Sequence, residues 1–184
     1  MNDDKIVDLY WIRSEDAITE TSIKYGKYCY GIAYNILSDA EDAEESVNDT
    51  YFDAWNTMPP HRPSALSAFL GKLTRRISID RWRKRSAAKR GGELAAALDE
   101  LNECVPSHEN VEQDVLAADL EKRINTFVND LPTAERRVFL CRYWYVNSME
   151  EIARKTGFSL GKIKSMLHRT RKKLAASLQK EGLE

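Results

Sequence analysis

The chain has 184 residues, 42% of them apolar and 31% charged, with a net charge of −1. That length allows one large domain or two small ones, and only 8 Gly and 5 Pro argue against an all-β fold with its many turns. No apolar run is long enough to span a membrane, the first residues are acidic rather than those of a signal peptide, and Cys29, Cys104 and Cys141 form no C-x-x-C pair. The expectation is a cytoplasmic chain with no membrane insertion, no disulfide frame and no metal site.

In chain order, Asp16 to Leu37 is expected to form the first long helix, with Tyr25, Tyr28, Cys29, Ile32, Ala33 and Ile36 on one face. Ser38-Asp39 caps the next, because Asp39, Glu41 and Asp42 fall in its first turn, where carboxylates suit the helix dipole. This helix runs through Trp55 on a stripe of Ala43, Val47, Thr50, Tyr51 and Ala54. Pro59, Pro60 and Pro63 break the chain into a loop, and a further helix starts near Ser64 with Leu66, Phe69, Leu70, Leu73 and Ile77 on its apolar face. Its other face carries Lys72, Arg75, Arg76, Arg83, Lys84 and Arg85, with Trp82 among them. Three or four helices over residues 1–92 make an N-terminal domain.

Residues 93–117 hold few bulky apolar side chains, a run of carboxylates and Pro106-Ser107, and they follow Gly91-Gly92. They read as an acidic linker, helical in part around Leu94 to Leu101. A C-terminal domain over 118–184 is expected to hold four helices: Ala118 to Asn129, Ala134 to Tyr143, Met149 to Lys155 and Leu160 to Leu178. The fold class is all-α, two small helical domains joined by an acidic linker.

The last two helices have the marks of a helix-turn-helix. Ala153 is small where the helices cross, Gly157 stands in the turn where a positive φ is needed, Ile163 packs the second helix back, and Ser159 caps that helix. Ile163, Leu167, Thr170 and Leu174 form a buried stripe along it. With Ser159 at its start, Leu160, Lys162, Lys164 and Ser165 are placed to meet base edges. His168, Arg169, Arg171, Lys172 and Lys173 follow, placed to meet phosphates. A solvated basic face is the alternative, and this geometry does not say which kind of DNA-binding protein carries it.

Charge is segregated along the chain. Residues 1–60 carry four basic and thirteen acidic residues, 61–92 ten basic and one acidic, 93–121 nine acidic and no Lys or Arg, and 122–184 fourteen basic and six acidic. Two separate basic blocks can touch a polyanion at two places.

These segments together resemble the extracytoplasmic-function sigma factors of bacterial RNA polymerase, and the resemblance covers nearly the whole chain. DAEDAEESVNDTYFDAW (Asp39 to Trp55) resembles the segment that docks on the polymerase clamp. FLGKLTRRISIDRWRKR (Phe69 to Arg85) resembles the segment that opens and reads the minus-ten promoter element. Leu131 to Leu174 resembles the domain that reads the minus-thirty-five element and sits on the polymerase flap. The resemblance implies core RNA polymerase and promoter DNA, duplex and melted, as partners, and it admits an anti-sigma protein as a further one. It assigns polymerase docking to Asp42, Glu45, Asn48, Asp49, Phe52 and Asp53, a face that periodicity alone reads as ordinary solvated helix.

Minus-ten contacts fall to Arg62, Lys72, Arg75, Arg76, Arg81, Trp82, Arg83, Lys84 and Arg85, where cations interleave with an aromatic as single-strand binding requires. Trp82 is either a stacking platform or, more commonly for such a residue, half-buried core. In the family a loop placed like Asn56 to Ser64 captures a flipped-out base. The chain departs from the family at Arg76, where many relatives carry Asn; Arg has donors only, so phosphate contact is expected there instead. The acidic linker is expected near the RNA exit path, as a mimic of nucleic acid.

Two other readings compete. A conventional helix-turn-helix regulator with a sensing or dimerisation domain explains the C-terminal block but leaves the basic block at 61–92 without a task. An enzyme would need a constellation that the sequence lacks: His61, His108 and His168 stand apart, and no Gly-rich phosphate loop, H-E-x-x-H or G-x-S-x-G occurs. No catalytic residue and no cofactor are expected.

Overall fold

The computed structural model describes residues 1–85, 92–104 and 113–180. Among these residues it is all-α, with nine α-helices, one π-helical turn and no strand. The chain divides into two compact units, Met1–Gly92 and Glu93–Glu184.

The N-terminal unit holds α1 (Asp3–Trp11), α2 (Asp16–Leu37), α3 (Ala40–Thr57) and α4 (Leu66–Arg85). The expected bounds of the first long helix are those of α2, which ends where Ser38 turns left-handed at φ 54°. Asp39 caps α3, its side chain accepting from the Asp42 amide at 3.0 Å. A helix that sequence reasoning did not single out, α1, is capped by Asn2 and contributes Ile6, Val7 and Tyr10 to the core. Tyr10 reaches Thr21 of α2 through a buried hydroxyl pair at 2.9 Å.

The core of this unit draws Ile32, Ala33 and Ile36 from α2, Val47, Tyr51 and Ala54 from α3, and Leu66, Leu70 and Leu73 from α4. Between α3 and α4 the packing is not oily. Ser46 and Thr50 face Thr74 and Ser78, all four fully buried. Thr50 Oγ1 lies 3.1 Å from Thr74 Oγ1, and each also reaches the carbonyl one turn back in its own helix, Ser46 O at 2.7 Å and Leu70 O at 2.8 Å. Thr50, Thr74 and Ser78 satisfy their hydroxyls on their own backbone, which lets the two helices pack closely, while the buried Ser46 Oγ has no hydrogen-bond partner among the described residues. Gly71 serves a similar end on the α2 side, where a Cβ would stand 2.5 Å from Tyr28 Oη.

The C-terminal unit holds α5 (Glu93–Asn102), α6 (Gln113–Asp130), α7 (Thr133–Phe139), a π-helical turn (Leu140–Trp144), α8 (Met149–Thr156) and α9 (Leu160–Lys180). Two expectations change here. The first stretch of the segment read as a linker is α5, which buries Leu94 and Ala97 and, just past its end, Cys104 in the core of this unit; residues 105–112 lie outside the described residues. The helix expected over Ala134 to Tyr143 ends as an α-helix at Phe139 and widens into the π-turn. There Cys141, Arg142 and Tyr143 are all buried, three consecutive side chains that one face of an α-helix could not enclose. Ser148 and Glu151 form a reciprocal capping box at the start of α8, with Glu151 N to Ser148 Oγ at 3.2 Å and Ser148 N to Glu151 Oε2 at 2.9 Å.

Gly71 offers a sharp test of the packing. Helix propensity alone would make Gly71→Ala stabilising by about 1 kcal/mol. The Tyr28 hydroxyl in its way reverses the sign, and Gly71→Ala is expected to destabilise the N-terminal unit by about 1–3 kcal/mol in urea unfolding. Adding Tyr28→Phe should recover part of that loss.

Candidate nucleic-acid and protein interfaces

The turn before α9 is built as the residues require. Gly157 ends α8 at φ 72°, a left-handed conformation costly for any residue with a Cβ. Ser159 then caps α9, accepting from the Lys162 amide at 3.3 Å. The stripe Ile163, Leu167, Thr170 and Leu174 is buried, joined by Met166 and Leu178. Lys162, Lys164, Ser165, His168, Arg169 and Lys172 are exposed on the remaining surface, as is Leu160 at 41%. Lys162 Nζ lies 3.8 Å from the centroid of the Phe158 ring, a cation–π contact that steadies the first turn. Lys173 pairs with Glu135 at 2.9 Å.

Arg171, grouped by sequence with the phosphate contacts, turns inward instead. It donates to Tyr143 Oη at 2.9 Å and to Glu100 Oε2 at 3.2 Å. Behind it Arg142, 3% exposed, donates to Glu100 Oε1 at 2.8 Å and to Glu93. Tyr143 donates to Glu100 Oε2 at 2.8 Å. Burial alone would lower the Arg142 guanidinium, but its hydrogen bonds to Glu100 and Glu93 outweigh that and hold it firmly charged. Burial pushes the Tyr143 hydroxyl far above the ordinary phenol range, so it stays a donor. Glu93, Glu100, Arg142 and Tyr143 escaped sequence reasoning because the partners lie 42 to 49 residues apart and no local pattern links them.

In the N-terminal unit the structure brings together two sets that sequence reasoning kept apart. Arg81 of α4 pairs with Glu45, with Asp49 at 2.8 Å and with Asp42 at 3.8 Å, all on α3. Arg85 pairs with Asp42 and lies 3.9 Å from Asp39, and Arg76 pairs with Asp53. So Asp42, Glu45, Asp49 and Asp53, expected to face a protein partner, each hold an arginine expected to face DNA. The reason is proximity: the hydroxyl seam sets α3 and α4 side by side, and their long charged side chains meet along its edge. Asn48 and Phe52 stay exposed on α3, Phe52 at 68%.

The other expected minus-ten residues are dispersed. Lys72, Arg83 and Lys84 are exposed, with Arg83 near Asp80 at 3.7 Å. Arg75 is half-buried, and burial lowers its guanidinium pKa. Trp82 is half-buried. Arg62 pairs with Asp8 at 2.6 Å and lies 5.8 Å from the Trp11 ring. It also borders an open hollow of about 470 Å³ lined by His61, Pro63, Ser64, Phe69 and Lys72, so the proline-rich loop and the start of α4 enclose a basic recess. The His61 and Phe69 rings stand 5.3 Å apart at its edge.

Among the described residues no group of His, Cys, Asp or Glu is arranged to hold a metal ion, and no helix is long and apolar enough to cross a membrane. Cys29, Cys104 and Cys141 are buried and unbridged, with burial pushing each thiol pKa up.

The Arg81 cluster predicts a salt-dependent stability. Arg81→Met leaves Glu45 and Asp49 without their arginine, while Asp42 keeps Arg85, and the melting midpoint should fall at low salt by the equivalent of about 1 kcal/mol. The deficit should shrink at high salt, where surface repulsion is screened. A deficit that ignores salt would mean that Arg81 acts through packing instead.

A sequence model described as "ECF sigma factor" matches residues 47–180, well over half of the chain. The chain is similar to the ECF RNA polymerase sigma factor SigE of Mycolicibacterium smegmatis, 26% identical over 156 residues that cover 84% of this chain and 59% of that protein. It is similar to the ECF RNA polymerase sigma factor SigK of Mycolicibacterium vanbaalenii, 26% identical over 140 residues that cover 75% of this chain and 69% of that protein. The chain thus spans less than two thirds of the SigE relative. Among solved structures, CnrH in complex with the cytosolic domain of CnrY matches over 98% of this chain and 99% of that chain, at 20% identity and a TM-score of 0.41.

Proposed function

The chain belongs to the ECF sigma factor family, and from that premise we propose that it directs core RNA polymerase to specific promoters and takes part in opening them. It would act as a specificity subunit with no catalytic residue of its own. The observation that carries this reading is α9: a capped second helix, buried on one stripe, with Lys162, Lys164, Ser165, His168, Arg169 and Lys172 on its open face. Such a helix suits a major groove, with its first turns at base edges and its later cations at phosphates.

In the N-terminal unit, Asn48 and Phe52 give α3 an open surface for the polymerase clamp. An exposed aromatic ring is the usual anchor of such a contact. Lys72, Arg83 and Lys84, with the recess beside His61 and Phe69, suit an unpaired strand near the minus-ten element, where cations hold the backbone and an aromatic receives a base. In vitro transcription with core polymerase and a promoter library, with run-off products sequenced, tests the function directly. A common motif pair upstream of the start sites supports it; no promoter-dependent product overturns it.

Two variants test the assignments. Phe52→Ala is expected to weaken polymerase binding about tenfold or more while leaving the melting midpoint unchanged, because the ring is exposed. Lys164→Gln should change which minus-thirty-five sequence is preferred, by about 1–3 kcal/mol at one base pair. Lys172→Gln should weaken all sequences alike and lower the salt slope by about one. Equal shifts of preference in both Lys variants would remove the division of α9 into base-reading and phosphate-binding turns.

A further inference from the structure

Arg171 is three residues beyond His168 and seven beyond Lys164, so all three occupy one side of α9. His168 and Lys164 are open to solvent, whereas the Arg171 side chain is 18% exposed and held by Glu100 and Tyr143. The Glu100 carboxylate divides its oxygens. Oε1 serves Arg142, while Oε2 accepts from Tyr143 and Arg171. Arg142 has a second carboxylate, Glu93, so its neutralisation does not need both Glu100 oxygens. What Glu100 offers Arg171 is an anionic oxygen within hydrogen-bond reach, which is what a DNA phosphate would offer the same guanidinium. The residue that supplies it belongs to α5, in the most acidic stretch of the chain.

On the reading of α9 as the duplex-binding helix, we propose that Glu100 is an internal stand-in for a DNA phosphate. α5 holds Arg171 in the unbound chain, and a backbone phosphate takes its place on Arg171 when α9 enters the groove. One charge-assisted bond replaces another, so the exchange cancels most of the gain from that phosphate contact in every encounter with DNA whatever its sequence. Duplexes that also satisfy Lys164 and Ser165 through base edges are still bound, and others are released more readily.

The test uses polymerase assembled with the full chain, titrated against a promoter duplex and a scrambled duplex across a salt series. Glu100→Gln keeps the shape and removes the charge; it is expected to tighten binding to both duplexes about three- to tenfold and to steepen the salt slope by about one. Adding Arg171→Gln should abolish that gain. Glu100→Asp keeps a charge beside Arg142 but draws the carboxylate back from Arg171 by about one bond length, ~1.5 Å. It gives the same sign of effect and serves if the Gln variant does not fold. Unchanged or weaker binding by the Glu100 variants, while Lys164→Gln still weakens the promoter duplex, overturns the stand-in and leaves the reading of α9 intact. If Lys164→Gln also changes nothing, both fall.

Discussion

A guanidinium keeps its proton at any ordinary pH, so a buried arginine obliges carboxylates to come to it. Arg142, 3% exposed in the π-turn after α7, imposes that obligation on the C-terminal unit. Glu93 and Glu100 answer it from the two ends of α5. The helix has only Leu94, Ala97 and Leu101 to pack, a small apolar face, and the ion pairs fix where it sits. Once Glu100 is in place its second oxygen fixes Tyr143 and Arg171, and so the middle of α9. Arg142 therefore joins a helix that looked like a connector to α9, the helix with the exposed basic face.

The N-terminal unit uses the same pairing at its surface, with a different result. Arg76, Arg81 and Arg85 meet Asp53, Glu45, Asp49 and Asp42 in partly solvated positions. Each such pair contributes little by itself, about 0–1 kcal/mol. Their effect is on charge display: the acidic face of α3 and the basic face of α4 partly cancel along their shared edge. Asn48 and Phe52 on α3, and Lys72, Arg83 and Lys84 on α4, are exposed away from these α3–α4 ion pairs.

Much of this was legible before any coordinates. The bounds of α2, the Asp39 cap, the stripe on α9, the left-handed Gly157 and the Ser159 cap each rest on local chemistry that a few consecutive residues carry. What stayed hidden depends on partners distant in sequence. Arg81 is 32 residues from Asp49 and Arg171 is 71 from Glu100, and nothing at either end marks the other. The seating of α5 was obscured because composition shows carboxylates without showing what they neutralise. The π-turn was obscured because Leu140 to Trp144 continues without a break from the helix it ends, and no Gly or Pro marks the change.

The hydroxyl seam between α3 and α4 has a consequence for how such a chain can diverge. Thr50, Thr74 and Ser78 make their polar contacts inward, largely on their own backbone, Ser46 is buried beside them, and the helices meet along this seam through short side chains. Such a joint is indifferent to what its outer faces carry. Residues at 48, 52, 72, 83 and 84 are exposed and can be exchanged without repacking the joint, so a lineage could change what these outer faces present through single substitutions. The seam itself tolerates only residues of its own size. Novelty would gather on the rims of these helices while their line of contact stays unchanged.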